Sequence, residues 1–270
     1  MNKMTHAPDE HRSTPYEPTD KPPTPEAAIS EVKKYGSKQK QFIAIGEIIL
    51  CSGFPTQLAL ANILALIGFS AFSGTGTLNL SYVVILSLAD TIILIFLIFF
   101  FLTRGNEKPK DIFFGARPLA QEINIGLVLI PLTVILAIGS LQLLYILWPS
   151  LQGTEENPLE ALIDSPLNAM IFVGVAVIAG GLREELQRAF ILHRFREQLG
   201  KKWLGLFMFS VMFGLGHYIQ GWDAVIVTAL LGATWGALFL IRKSVVSTII
   251  SHAGFNVVEV VIALVAASAT

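Results

Sequence analysis

Beyond residue 41 the chain alternates long apolar runs with short polar connections. The runs fall near 42–70, 80–103, 121–148, 166–193, 203–218, 223–241 and 245–267, and none shows the period-two alternation of a half-buried strand. A segment of this length that crosses a bilayer must satisfy its backbone polar groups internally, which selects the helix. The pattern predicts an all-α, polytopic transmembrane helical bundle of seven spans. Gly53, Phe54, Pro55 and Gln57 interrupt the first run. It therefore reads as one kinked helix or as two pieces, and the second reading gives eight spans.

Residues 1–40 are polar and hold six of the thirteen prolines, with no apolar stretch resembling a signal-peptide core. They read as a disordered tail ahead of a transmembrane domain over 41–270. Lys33, Lys34, Lys38 and Lys40 lie just before the first run, which places the N-terminus in the cytoplasm. The later basic connections alternate in side: Arg104, Lys108, Lys110 and Arg117, then Arg194, Arg196, Lys201 and Lys202, then Arg242 and Lys243. The connection at 149–165 instead carries Glu155, Glu156, Glu160 and Asp164. With seven spans the C-terminus lies outside. A compact chain of this kind, without a targeting peptide, suits a bacterial inner membrane.

Composition agrees: 53% of the residues are hydrophobic and only 14% charged, so lipid is the solvent for most of the chain. A net charge of −1, without a basic stripe, excludes nucleic acid as a partner. A single cysteine, Cys51, excludes an intrachain disulfide.

Ionisable residues at bilayer depth cost a few kcal/mol each and call for a partner or a purpose. Glu47 and Asp90 stand isolated in the early spans and are expected to make polar contacts between helices. The run Arg183-Glu184-Glu185-Leu186-Gln187-Arg188 packs four charges into six positions. Arg188 lies four residues after Glu184 and three after Glu185, so it can clamp one carboxylate and leave the other available. Phe213 and His217 follow on the next run. The basic turn near residue 200 lies midway between 184 and 217, so an antiparallel hairpin sets Glu184 and His217 at one depth. His252 and Asn256, four residues apart on the last run, add a third polar face. Gly214, Gly216, Gly232 and Gly236 are expected to let helices pack closely.

Taken in order, these elements resemble the CPBP family of intramembrane endopeptidases, which includes the CAAX prenyl endopeptidase branch and carries the motifs EExxxR, FxxxH and HxxxN. Phe213 with His217 and His252 with Asn256 match the last two. The acidic pair stands one position closer to Arg188 than in the first, and Arg183 occupies the remaining place; anchored on Arg188, Glu184 aligns with the second family glutamate. The likeness covers about 165–265. It implies hydrolysis of a peptide bond by a water activated at Glu184 or Glu185, with His217 positioning the water and His252 and Asn256 stabilising the oxyanion. Arg188 and Phe213 support the site. The implied partners are a peptide or protein substrate and membrane lipid, with no cofactor required. Two histidines and a glutamate could also hold zinc, which leaves a metal-dependent protease open. A non-catalytic membrane binding or scaffold protein could keep the same residues as a polar network. A small transporter is the remaining alternative, although no inverted repeat is visible.

Overall fold

A computed structural model describes residues 25–74, 76–151 and 158–268. Residues 1–24, together with Glu155 and Glu156, lie outside the described residues. The chain divides into compact units at Met1–Lys40 and Gln41–Thr270, and the candidate site lies wholly in the second. The described residues are helical, apart from turns and a single bridge between Phe72 and Leu78.

Among the described residues ten α-helices follow in chain order: α1 (Pro25–Leu50), α2 (Phe54–Leu66), α3 (Leu80–Arg104), α4 (Pro109–Phe113), α5 (Leu119–Leu147), α6 (Pro166–Val175), α7 (Glu184–Glu197), α8 (Lys202–Leu215), α9 (Trp222–Arg242) and α10 (Val246–Ser268). A π-helical stretch, Ala176–Arg183, joins α6 to α7. The segment expected to be a tail thus runs into α1, which begins at Pro25.

Local chemistry sets several of the ends. The Asn79 side chain accepts from the amides of Ser81 and Tyr82 at the start of α3. Ser165 accepts from the Asn168 amide ahead of Pro166 at the start of α6. Each cap satisfies amides that the first helical turn leaves without partners. Gly53, at φ +86°, breaks α1 from α2, a left-handed conformation that favours glycine.

Among the described residues, five helical stretches are long and apolar enough to cross a membrane: Leu80–Arg104, Leu119–Leu147, Pro166–Glu197, Trp222–Arg242 and Val246–Ala266. The α1–α2 pair, bent by 41° at the Gly53 break, makes a sixth if it forms one span. The expected span at 203–218 appears as α8, whose 14 residues rise roughly 21 Å against a hydrocarbon core of about 30 Å. The chain is an integral membrane protein, and its surface has the corresponding character: Ile92, Phe96, Ile135, Ile146 and Met170 are all exposed.

The interior is where the polar groups sit. Arg188, Arg194 and Trp235 are the largest side chains buried almost completely. The pairs α5–α10 and α8–α9 make the most extensive packing, and α10 also lies along the π stretch. Close approach depends on the expected glycines. A Cβ on Gly232 would lie 2.7 Å from Phe213 Cδ1, and one on Gly236 would lie 2.5 Å from Leu206 Cδ1. In the α7–α8 hairpin Phe195 packs on Gly205, and Arg188 reaches Phe209 and Phe213. That register is the one expected from a turn near residue 200.

Candidate active site

The site begins where the polypeptide leaves the α-helical register. A π-helix bonds each amide to the carbonyl five residues back, so eight residues of it rotate whatever follows relative to a regular helix. Two neighbours hold this stretch. Asn256 Nδ2 donates to the Ala176 carbonyl at 3.0 Å. A Cβ on Gly180 would meet that same Asn256 nitrogen at 2.5 Å, and one on Gly181 would meet Ala253 Cβ at 2.6 Å. Gly180 and Gly181 thus admit α10 against the π stretch, immediately before the two glutamates.

Glu185 points inward. Its Oε1 accepts from Arg188 Nη1 and lies 2.8 Å from His252 Nδ1. A carboxylate only accepts, so His252 donates from Nδ1, leaving its Nε2 on the opposite side of the ring. Arg188 is fully buried and sits among aromatic faces, its Cζ 5.1 Å, 4.8 Å and 5.6 Å from the ring centres of Phe209, Phe213 and Trp235. These faces supply cation–π attraction where water is excluded. Trp235 also stacks on His252 at 4.0 Å and 18° and donates its Nε1 to Ser251 Oγ at 3.1 Å. The imidazole is therefore fixed on two sides, by a ring and by a carboxylate.

Glu184 is held more loosely. Its side chain keeps 20% exposure, with Oε2 at 3.8 Å from His252 Nε2 and Oε1 at 3.9 Å from Arg183 Nη1. The two carboxylates thus face opposite nitrogens of one imidazole. His217 Nδ1 lies 2.9 Å from the carbonyl of Phe213, so it donates there and leaves its Nε2 lone pair unoccupied by that bond. Its ring is 5.0 Å from that of Phe213, which in turn is 5.9 Å from His252. The structure accordingly gathers Glu184, Glu185, Arg188, Phe213 and His252 directly. His217 joins through Phe213, and Asn256 stands one turn along α10 from His252, bonded to the π stretch.

Several partners were not singled out in the sequence. Arg183 Nη2 pairs with Asp90 at 2.8 Å, and its Nη1 donates to Gln187 at 3.1 Å. Asp90, fully buried, also accepts from Thr56 Oγ1 at 2.5 Å and Gln57 Nε2 at 3.2 Å. Glu47 accepts from Arg194 Nε at 2.5 Å. The interhelical role expected of Glu47 and Asp90 is what the structure contains. Trp235 offered no motif, and only its position between Gly232 and Gly236 on a close-packed helix hinted at burial.

A second network closes the far end of α7. Glu107 accepts from Arg194 Nη1 and contacts His193 Nε2. Burial pushes the Glu107 carboxyl up, but the hydrogen bonds to His193 and Arg194 and the Arg194 charge outweigh it, so it is held below the ordinary glutamate range.

Among the described residues no group of three or more His, Cys, Asp or Glu is spaced to hold a metal ion. With Nδ1 of His252 bonded to Glu185 and Nδ1 of His217 bonded to a carbonyl, each ring keeps Nε2 for a water or a metal.

No curated protein and no solved structure matches the chain. The family model described as Type II CAAX prenyl endopeptidase Rce1-like matches residues 166–258, roughly a third of the sequence. The match runs from the start of α6 past Asn256 and takes in every residue of the site. Through this segment the chain is related to the CPBP family of CAAX-protease-like membrane endopeptidases.

Proposed function

We propose that the protein is an intramembrane endopeptidase in which Glu184 activates the hydrolytic water and Glu185 positions the site. The observation that carries this reading is the unequal placement of the two glutamates. Glu185 is buried, its Oε1 accepting from Arg188 and His252 and its Oε2 left without a partner, whereas Glu184 is partly exposed and makes no contact shorter than 3.8 Å to a charged group. In the resemblance to EExxxR, Glu185 then plays the arginine-paired second glutamate and Glu184 the first. This replaces the alignment anchored on Arg188 alone.

A water bridging Glu184 Oε2 and His252 Nε2 lies within hydrogen-bond reach of both. Its oxygen attacks the peptide carbonyl carbon while its proton passes to Glu184. The tetrahedral intermediate then collapses with cleavage of the C–N bond, and Glu184 returns the proton to the leaving amine. His252 Nε2, whose lone pair faces the water, accepts its second hydrogen in a hydrogen bond and orients it. The second N–H of Asn256 stabilises the negative oxygen. No step needs a cofactor.

The family likeness supports a substrate with a prenylated C-terminal CAAX-type sequence. The charge pattern of the connections supports a seven-span, N-inside arrangement, with α8 and the following residues to Gln220 as the short span. The test is cleavage of a farnesylated CAAX-type peptide by the full chain in proteoliposomes. Wild-type protein is expected to release the C-terminal tripeptide, and Glu184→Gln to lose about 10²-fold or more of the rate. Unchanged cleavage by Glu184→Gln sinks the assignment of the base, and an intact peptide with wild-type protein sinks the proposed substrate.

A further inference from the structure

Outside the catalytic locus, the α7–α8 turn forms a surface cavity of about 390 Å³ lined by Arg196, Gly200, Lys201, Lys202, Trp203 and Leu204. We propose that it binds the phosphate of an anionic phospholipid. Three cations from both sides of one turn line it, with Arg196 bonded through Nε to Glu197 at 2.5 Å and facing His193 Nδ1 through Nη2 at 3.4 Å. A net positive cavity remains. Gly200, at φ +66°, makes the tight reversal that brings Arg196 of α7 beside Lys201 and Lys202.

Its place in the fold selects the lipid. Arg196 is the penultimate residue of the membrane-crossing stretch Pro166–Glu197, so the turn lies at headgroup depth, where phosphates are concentrated and aromatic rings prefer to sit. Trp203 and Leu204 are 62% and 44% exposed and give acyl chains an apolar wall beside the charges. Lys202 Nζ lies 5.2 Å from the Trp203 ring centre, which holds one cation over the wall instead of leaving it extended into water. A turn that only fixed topology would need the charges but not a shared cavity with a ring beside it.

Lipid binding here is independent of peptide hydrolysis, and its test reads fluorescence only. The full chain is placed in nanodiscs containing brominated phosphatidylglycerol or brominated phosphatidylcholine at equal mole fraction. The fraction assigned to Trp203 is the signal lost in Trp203→Phe. Brominated phosphatidylglycerol is expected to quench it with roughly tenfold stronger apparent association than phosphatidylcholine, a preference that the triple variant Arg196→Gln, Lys201→Gln, Lys202→Gln removes and high salt weakens. Equal quenching by the two lipids, or a preference that persists in the triple variant, overturns the site. So does displacement by soluble glycerol phosphate at millimolar concentration, which would make the occupant a free phosphate.

Discussion

Asn256 Nδ2 donates to the Ala176 carbonyl at 3.0 Å, and this bond joins α10 to the first residue of the π stretch. The same helix presents His252 to both glutamates that follow that stretch. Under the proposed mechanism Asn256 helps to set where the glutamates point as well as offering a second N–H to the reaction. Asn256→Ala is expected to speed amide hydrogen exchange across 176–184, read by mass spectrometry. A purely oxyanion-directed Asn256 would slow peptide cleavage and leave that exchange unaltered.

Deleting one residue of the π stretch, for example Ala179, should return it to α-helical register. Seven residues at about 100° each replace eight at roughly 80°, so everything after the deletion turns by roughly 50° relative to α6. The glutamates would leave His252, and cleavage should fall to background in a protein that still inserts and migrates as a monodisperse species. Retained cleavage would show that the wide turn is not what aims the pair.

The two glutamates should differ in what their loss does. Glu184→Gln is expected to lose activity at nearly unchanged thermal stability, because Glu184 is partly exposed and loosely paired. Glu185→Gln strips the buried Arg188 of its counter-charge and should cost about 3–5 kcal/mol of stability in addition to activity. Thermal melts in detergent beside cleavage rates separate the two, and a reversed order would exchange their roles.

Gly181 leaves no room for a methyl group, since the Cβ would meet both Ala253 Cβ at 2.6 Å and Ala253 Cα at 2.9 Å. Gly181→Ala should destabilise by roughly 1–3 kcal/mol through overpacking. A melting temperature equal to that of wild type would refute the close contact between the π stretch and α10.

Acid should weaken the Glu107 network. The Glu107 carboxyl is held below its ordinary range in the folded protein, so its contribution is fully present above the ordinary glutamate value and is lost as pH falls through the lowered one. Its size is on the order of 1 kcal/mol, because the carboxylate keeps some contact with water. The melting temperature of wild type should therefore drop more steeply on acidification than that of Glu107→Gln, and at neutral pH wild type should be the more stable. Parallel pH profiles for the two would remove this linkage.

The sequence by itself determined the membrane character, the helical class, and the three polar elements on three helices, because lipid burial and helical spacing are properties of the local pattern. The depth register of α7 against α8 was equally legible, since it follows from counting residues out from one turn. The arrangement within the site was decided only in three dimensions. A π turn has no reliable local signature, so nothing in the run from Ala176 to Arg183 revealed how Glu184 and Glu185 would be rotated. The assignment of counter-charges was likewise tertiary: Arg183 finds Asp90 from 93 positions away, and Arg188 finds its ring partners on α8 and α9. Spacing alone allowed Arg188 to hold either glutamate. Packing chose Glu185, because that carboxylate lies in the buried space shared by Arg188 and His252, whereas Glu184 keeps partial exposure.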